Sequence, residues 1–345
     1  MTFRPPPIPR LDSALGAALR ARVDGMAKPP RSLGRLEDLA VQIGQVQDRP
    51  NPRLDRVRAY VFAGDHGLNA HGVSAYPSAV TAAMVATFLA GRASVNALAR
   101  ACDVEVAVVD AGVDADLPTH PDLLDRKVRR GSRNAAVEPA LTAAEVEAAL
   151  DAGVLLASEA AAEGVDVIIL GEMGIGNTAS AALVMSRLVP AALADCIGQG
   201  AGHDAEGLAR KAAVLARAAA RCAPDHPLEV LAEFGGLEIA MMAGALLGAA
   251  ASRRLVVVDG FIATAAALAA IRLAPLAQDY CVFAHVSAER GHALMLEALG
   301  ARPFLSLGMR LGEGTGGVLT APLLRSACRM LAEVASLEDV LAGRL

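Results

Sequence analysis

Two glycine-rich strings carry polar residues suited to chemistry, Gly171-Glu-Met-Gly-Ile-Gly-Asn-Thr178 and Leu311-Gly-Glu-Gly-Thr-Gly316. The first stands between an apolar run and an alanine-rich stretch, where a strand hands over to a helix. Backbone amides at such a turn, with the helix N-terminus behind them, can hold a phosphate, and Asn177 and Thr178 add side-chain donors. Gly174-x-Gly176-x-x-Ala179 also satisfies the dinucleotide fingerprint, although Glu172 at the loop mouth would repel a pyrophosphate. A tight turn with no ligand has the same composition. In the second string Glu313 lies between Gly312 and Gly314, so a flat ligand can approach its carboxylate. Met309 and Leu311 would raise its pKa towards a general-base range, and a solvated loop carboxylate is the alternative.

Other titratable residues leave their roles open. Asp110 and Asp259 each follow an apolar run, where a carboxylate binds sugar hydroxyls or caps a helix. Lys211 reads as a surface helix charge or as a phosphate counter-ion. His66 and His71 are five apart, unlike the i, i+4 pair of a zinc helix, and Asp65 does not repair the spacing, so no metal site is expected.

The elements that must position these residues follow from the pattern of apolar runs. Val57 to Ala63, Val104 to Val109, Val165 to Leu170, Leu255 to Val258 and Tyr280 to Ala284 read as strands without polar alternation, and Pro303 to Leu307 as a further short one. Alanine-rich helical stretches separate them, among them Ser78 to Ala90, Thr142 to Glu163, Ala179 to Leu188, Ala205 to Ala220, Leu237 to Ala251 and Ala263 to Leu273. This alternation predicts a doubly wound, Rossmann-like α/β fold, with a parallel sheet of about six strands and helices on both faces. Amphipathic helices at Asp12 to Asp24, around Leu33 to Val46 and around Leu323 to Val334 need partners for their apolar stripes. We expect a small helical domain built from both termini (1–50 plus 318–345) beside a large catalytic α/β domain (51–317).

Composition narrows the function. Among 345 residues 54% are hydrophobic and 20% charged, which excludes disorder for most of the chain. The uncharged run Gly72 to Gly91 is interrupted by Ser74, Tyr76, Pro77, Ser78, Thr81 and Thr87, so no membrane partner is expected. A net charge of −5, no Trp and no basic run remove the footprint of a nucleic-acid binder and favour a small-molecule substrate. Five scattered cysteines without a C-x-x-C, and an N-terminus lacking an apolar core, fit a cytoplasmic protein with no secretory signal.

Taken together, the strings resemble one family, the nicotinate-nucleotide:dimethylbenzimidazole phosphoribosyltransferases of cobalamin synthesis. The resemblance rests on Lys28-Pro-Pro-Arg-Ser-Leu-Gly-Arg-Leu-Glu37, Phe62-Ala-Gly-Asp-His-Gly67, Gly72-Val-Ser-Ala-Tyr-Pro-Ser78 with Val80-Thr81, and Val109-Asp-Ala-Gly-Val113. It continues through the Gly171 to Thr178 string, Val258-Asp-Gly-Phe261 and the Leu311 to Gly316 string. It implies a homodimer, no cofactor, and transfer of phosphoribosyl from nicotinate mononucleotide to a benzimidazole. It also implies catalytic Glu313 and Glu172, and phosphate and ribose contacts from Gly174, Ile175, Gly176, Asn177, Thr178, Lys211 and Asp259. The base pocket would be formed by Ser74, Tyr76, Met84, Met309 and Leu311.

Overall fold

The computed structural model describes residues 2–200 and 202–344; Met1, Ala201 and Leu345, which fall within the expected domains, lie outside the described residues. Helices α1 (Ser13–Asp24) and α2 (Arg35–Gln47) lead into strand β1 (Val57–Gly64), then α3 (Ala79–Leu89), α4 (Ser94–Ala101), β2 (Glu105–Gly112) and β3 (Leu123–Asp125). The chain continues through α5 (Ala143–Ala162), β4 (Val167–Met173), α6 (Asn177–Leu188), α7 (Leu193–Cys196), α8 (Ala205–Arg221), α9 (Pro227–Phe234) and α10 (Leu237–Ala251). It closes with β5 (Leu255–Val258), α11 (Phe261–Leu273), β6 (Cys281–Phe283), α12 (His292–Ala298), α13 (Thr315–Glu333) and α14 (Leu337–Leu341).

All strand pairs are parallel, in the order β3-β2-β1-β4-β5-β6. β1 and β4 supply the centre because Val57, Val61, Phe62 and Val167 to Leu170 are apolar on both faces and buried. Winding runs outward from β1 to β3 and restarts at β4, so a crevice opens beyond the carboxyl ends of β1 and β4, where the order reverses. The register sets Phe62 beside Glu172 and Ala63 beside Met173, which brings Asp65-His66 and the Gly174 loop to that crevice.

Two expectations for the sheet are corrected. Pro303 to Leu307 makes only a single parallel bridge, Leu305 to His285, because Pro303 has no N–H to extend a ladder. The sixth strand is instead Leu123–Asp125, three residues without a β-branched side chain in a stretch rich in Pro and Asp.

Both termini meet. Arg22 donates to the Leu331 carbonyl at 2.7 Å, Ala27 N–H to Ala335 O at 2.9 Å, and Leu337 N–H to Gly25 O at 2.9 Å. Lys28 pairs with the buried Glu37 at 2.9 Å, and Glu37 also accepts from Leu33 N–H, which fixes the entry to α2. The first residues of α13 reach the sheet: a Cβ on Gly317 would lie 2.3 Å from Ile169 Cγ2. The run Ala79–Ala101 is long and apolar enough to cross a membrane, but residues 90–93 break it into α3 and α4, with Gly91 at φ +68°.

Candidate active site

A cleft of about 390 Å³ lies at the carboxyl ends of the central strands. Five parts of the chain chiefly line it: the turn from β4 into α6, the segment entering α13, the loop before α3 with the first turns of that helix, the turn from β5 into α11, and the segment after β6.

In the first of these, Gly174 packs so closely that an added Cβ would lie 2.4 Å from Gly64 O, and Gly176 has φ +96° as it starts α6. Both positions therefore need glycine. Asn177 N–H returns to Gly174 O at 3.1 Å, and Ile175 N–H donates to Thr81 Oγ1 at 3.2 Å. Ile175 therefore lines the cleft without a spare amide, which the sequence reading did not foresee. Within the described residues no backbone or side-chain group takes the N–H of Gly176 or Thr178, and these amides, with the α6 N-terminus, can receive an anion.

Lys211 stands behind this loop, fully buried, with its Nζ on Thr178 Oγ1 at 3.0 Å and Gly198 O at 3.1 Å. Burial pulls its pKa down to about 8, opposed by the Glu289 carboxylate. A surface helix charge is excluded.

Glu313 has φ +62° between Gly312 at +88° and Gly314 at +84°. A left-handed glutamate is strained, and such strain persists where the surroundings impose it. Here Glu313 N–H donates to Glu172 O at 3.2 Å, while Asp259 accepts from Gly314 N–H at 3.2 Å and Gly317 N–H at 2.9 Å. One Glu313 oxygen takes the Val95 amide at the start of α4, 3.1 Å away. Burial raises the Glu313 pKa above the ordinary carboxylate value, helped by the charge of Asp259 and opposed by the Val95 amide.

Glu172 faces the same space. Its side chain meets the Asn177 amide, and a Cβ on Gly312 would be 2.1 Å from its Oε1. Burial, reinforced by the like charges of Asp259, Glu238 and Glu313, pushes it up to about 8 against the Asn177 bond. At neutral pH Glu172 is a carboxylic acid and a hydrogen-bond donor.

Val73, Tyr76, Val80, Met84 and Leu311 supply apolar side chains to the same cleft, with Ser74 among them, and Val73 stands beside the turn itself, 3.6 Å from where a Cβ on Gly176 would be. Tyr76 is 50% exposed and Leu311 56%, so they sit at its mouth. The structure thus brings together Glu172, Glu313, Gly174 to Thr178, Ser74, Tyr76, Met84 and Leu311.

Two expected residues are elsewhere. Asp259, 2% exposed, has both oxygens turned to the α13 amides and is a helix cap rather than a ribose ligand, because those orphan donors claim it. Met309 does not line the cleft; its carbonyl accepts from Ala288 N–H at 2.9 Å, which turns this residue into the chain pairing beside β6. Asp110 caps the Val113 amide and pairs with Lys127 at 3.1 Å. Sequence reasoning assigned no role to Arg310, Ser287 or Glu289, which do line the cleft. Only the strand-end position of Ser287 and the proximity of Arg310 to Glu313 hint at this. No group of three or more metal-ligating side chains occurs among the described residues.

An open parallel sheet whose switch-point crevice pairs an anion-holding turn with two buried carboxylates defines a Rossmann-like α/β group-transfer enzyme. A model of the phosphoribosyltransferase family matches residues 8–341. The chain is 52% identical over 332 residues to nicotinate-nucleotide–dimethylbenzimidazole phosphoribosyltransferase of Cupriavidus necator, covering 96% of each chain. It is 54% identical over 332 residues to that of Ralstonia nicotianae, covering 95% of this chain and 94% of the relative. The crystal structure of CobT from Thermus thermophilus superposes with a TM-score of 0.91 at 46% identity, over 95% of this chain and 98% of that one. The chain belongs to the nicotinate-nucleotide–dimethylbenzimidazole phosphoribosyltransferase family.

Proposed function

We propose that the protein transfers the 5-phosphoribosyl group of nicotinate mononucleotide to 5,6-dimethylbenzimidazole, releasing nicotinate and α-ribazole 5'-phosphate for cobalamin assembly. The observation that carries the assignment of roles is Glu313, a strained, buried carboxylate that lines the same cleft as the anion-holding turn and the apolar side chains. The phosphate rests on the Gly176 and Thr178 amides and the Thr178 hydroxyl, with Lys211 behind them supplying charge. The flat base lies between Tyr76, Met84 and Leu311, and Glu313 takes its N–H proton. The electron pair on the other ring nitrogen then attacks the anomeric carbon, and the C–N bond to nicotinate breaks with its electrons returning to the pyridine nitrogen. No acid is needed at the leaving group, because a pyridinium departs as a neutral ring. Attack opposite to departure converts the β-linked nucleotide into an α-linked one, with the phosphate as fixed handle. Glu172, protonated, donates to a ribose hydroxyl and holds the sugar in place while the bond to nicotinate breaks. The Glu313 and Glu172 carboxyls thus divide base and donor roles by environment.

The same reading takes residues 1–50 and 318–345 as a small helical domain, places the chain in the cytoplasm and pairs it as a homodimer. Pairing is supported by α3, eleven residues without a charge of which only Thr81, Val85 and Phe88 are buried. The test is chromatographic detection of nicotinate and product mass with purified protein, nicotinate mononucleotide and dimethylbenzimidazole. Turnover is expected for the wild type, with at least a hundredfold lower kcat for Glu313→Gln. A Glu313→Gln variant as fast as wild type would remove Glu313 as the base.

A further inference from the structure

Behind the anion-holding turn lies a buried polar cluster to which the reaction assigns no task. Asp65 and His66 follow β1, with the His66 side chain fully enclosed and Asp65 6% exposed. Thr81, also fully buried, sits on α3 beside Val80, which lines the base flank, and one turn before Met84. Its hydroxyl accepts the Ile175 N–H at 3.2 Å, and the buried Asp65 Oδ1 has no hydrogen-bond partner among the described residues. The other Asp65 oxygen is fixed by Asp114 N–H at 2.8 Å. His66 Nδ1 meets Ser180 Oγ at 2.9 Å, on the first turn of α6, and Nε2 meets Glu238 Oε1 at 2.6 Å, at the start of α10. The His66 Cβ also closes the space beside Gly176, 3.4 Å from where a Cβ would stand.

We propose that Thr81, together with the His66–Ser180 pair, forms a brace that holds the turn Gly174–Thr178 in its phosphate-receiving shape, with Thr81 as the positioning residue that sets the Ile175 amide. The inference rests on the reading of that turn as the nucleotide site. A buried amide with a single acceptor in reach is held to that acceptor, so the Thr81 hydroxyl fixes the orientation of the Ile175 peptide. By engaging Ile175, Thr81 turns that peptide away from the ligand and leaves the Gly176 and Thr178 amides for the anion. Substitution of the hydroxyl by a methyl leaves the Ile175 N–H buried and unpaired, and relaxation of the turn is its route back to a partner. Valine matches threonine in shape, so the α3 contacts to the base side persist.

The experiment compares wild type, Thr81→Val and Thr81→Ser, varying each substrate in turn and measuring nicotinate mononucleotide binding by calorimetry without base. In Thr81→Val the nucleotide KM and Kd are expected to rise about tenfold, with the base KM within about twofold of wild type, and Thr81→Ser to restore both. A nucleotide Kd unchanged in a folded Thr81→Val, or equal losses for nucleotide and base, would overturn the brace. If Thr81→Val does not fold, Ser180→Ala removes the other anchor and is judged by the same split. A wild type that neither binds the nucleotide nor releases nicotinate would overturn the reading of the site and the brace with it. Wild-type turnover with an indifferent Thr81→Val would overturn the brace alone.

Discussion

At the scale of single residues, the site works by assigning charge to groups whose burial opposes it. Glu172, Glu313 and Asp259 share one buried corner, and three ionised carboxylates there would repel one another without water to screen them. Burial and the neighbouring charges push Glu172 up to about 8, whereas the Val95 amide opposes the upward shift of Glu313. Lys211 shows the converse. Its pKa, lowered to about 8 by burial, places loss of its charge just above neutrality, with Glu289 opposing the loss and Arg310 bound to Gly200 O nearby at 3.0 Å. In the proposed role the ammonium would attract the nucleotide phosphate while it is charged, and the attraction would fade as pH rises through its lowered pKa of about 8. The nucleotide KM is therefore expected to be flat from pH 6.5 to 7.5 and to climb several-fold between pH 8 and 9, whereas Lys211→Met should bind weakly with no such climb. Steady-state kinetics over that range decide it, and the same climb in Lys211→Met would assign it to another group.

Among the elements, α5 and α10 show how much of the scaffold depends on missing side chains. A Cβ on Gly244 would stand 2.1 Å from Leu150 O, one on Gly153 2.1 Å from Met241 O, and one on Gly248 2.6 Å from Val154 O. The helix backbones are in direct contact, and only separation admits a methyl group. Gly244→Ala is expected to cost about 1–3 kcal/mol despite its better helix propensity, lowering the melting temperature by a few degrees in calorimetry. An unchanged or higher melting temperature would mean that the helices separate freely. This contact also marks where the sequence stopped being legible. Length, apolar runs and alternation suffice for β1, β4, β5 and the helices around them, since burial on both faces leaves an unbroken Val, Ile and Leu signature. β3 has no such signature, because three residues on a sheet edge can be fixed by their neighbour alone. Of the site, Glu172, Glu313 and the Gly174 turn were visible because glycines flank them. Arg310 and Glu289 lie in irregular chain after β6 and reach the cleft only through tertiary folding, and Asp259 showed its strand-end position but not which helix would claim it.

For the whole molecule, the exposed side of α3 is the feature a lone chain leaves unexplained. A surface helix normally sets charged residues against water, yet Ala79, Ala83 and Ala86 are exposed here on a helix lacking any charge. Tyr76, just before that helix, and Leu311, across the cleft mouth, add exposed apolar area in the same region. A second copy of the chain covering this side would remove both faults at once, drying the base end of the cleft while leaving the buried phosphate turn untouched. Light scattering should then report twice 35.3 kDa for the wild type at micromolar concentration. Ala83→Glu and Ala86→Glu together place two charges on the covered face, so the double variant should run as a monomer. Because the partner would close only the base end, its loss should raise the base KM by about tenfold and leave nucleotide binding near wild type. A wild-type monomer would assign the α3 face to some other contact, and a monomeric variant with an unchanged base KM would show that each chain's cleft is complete by itself.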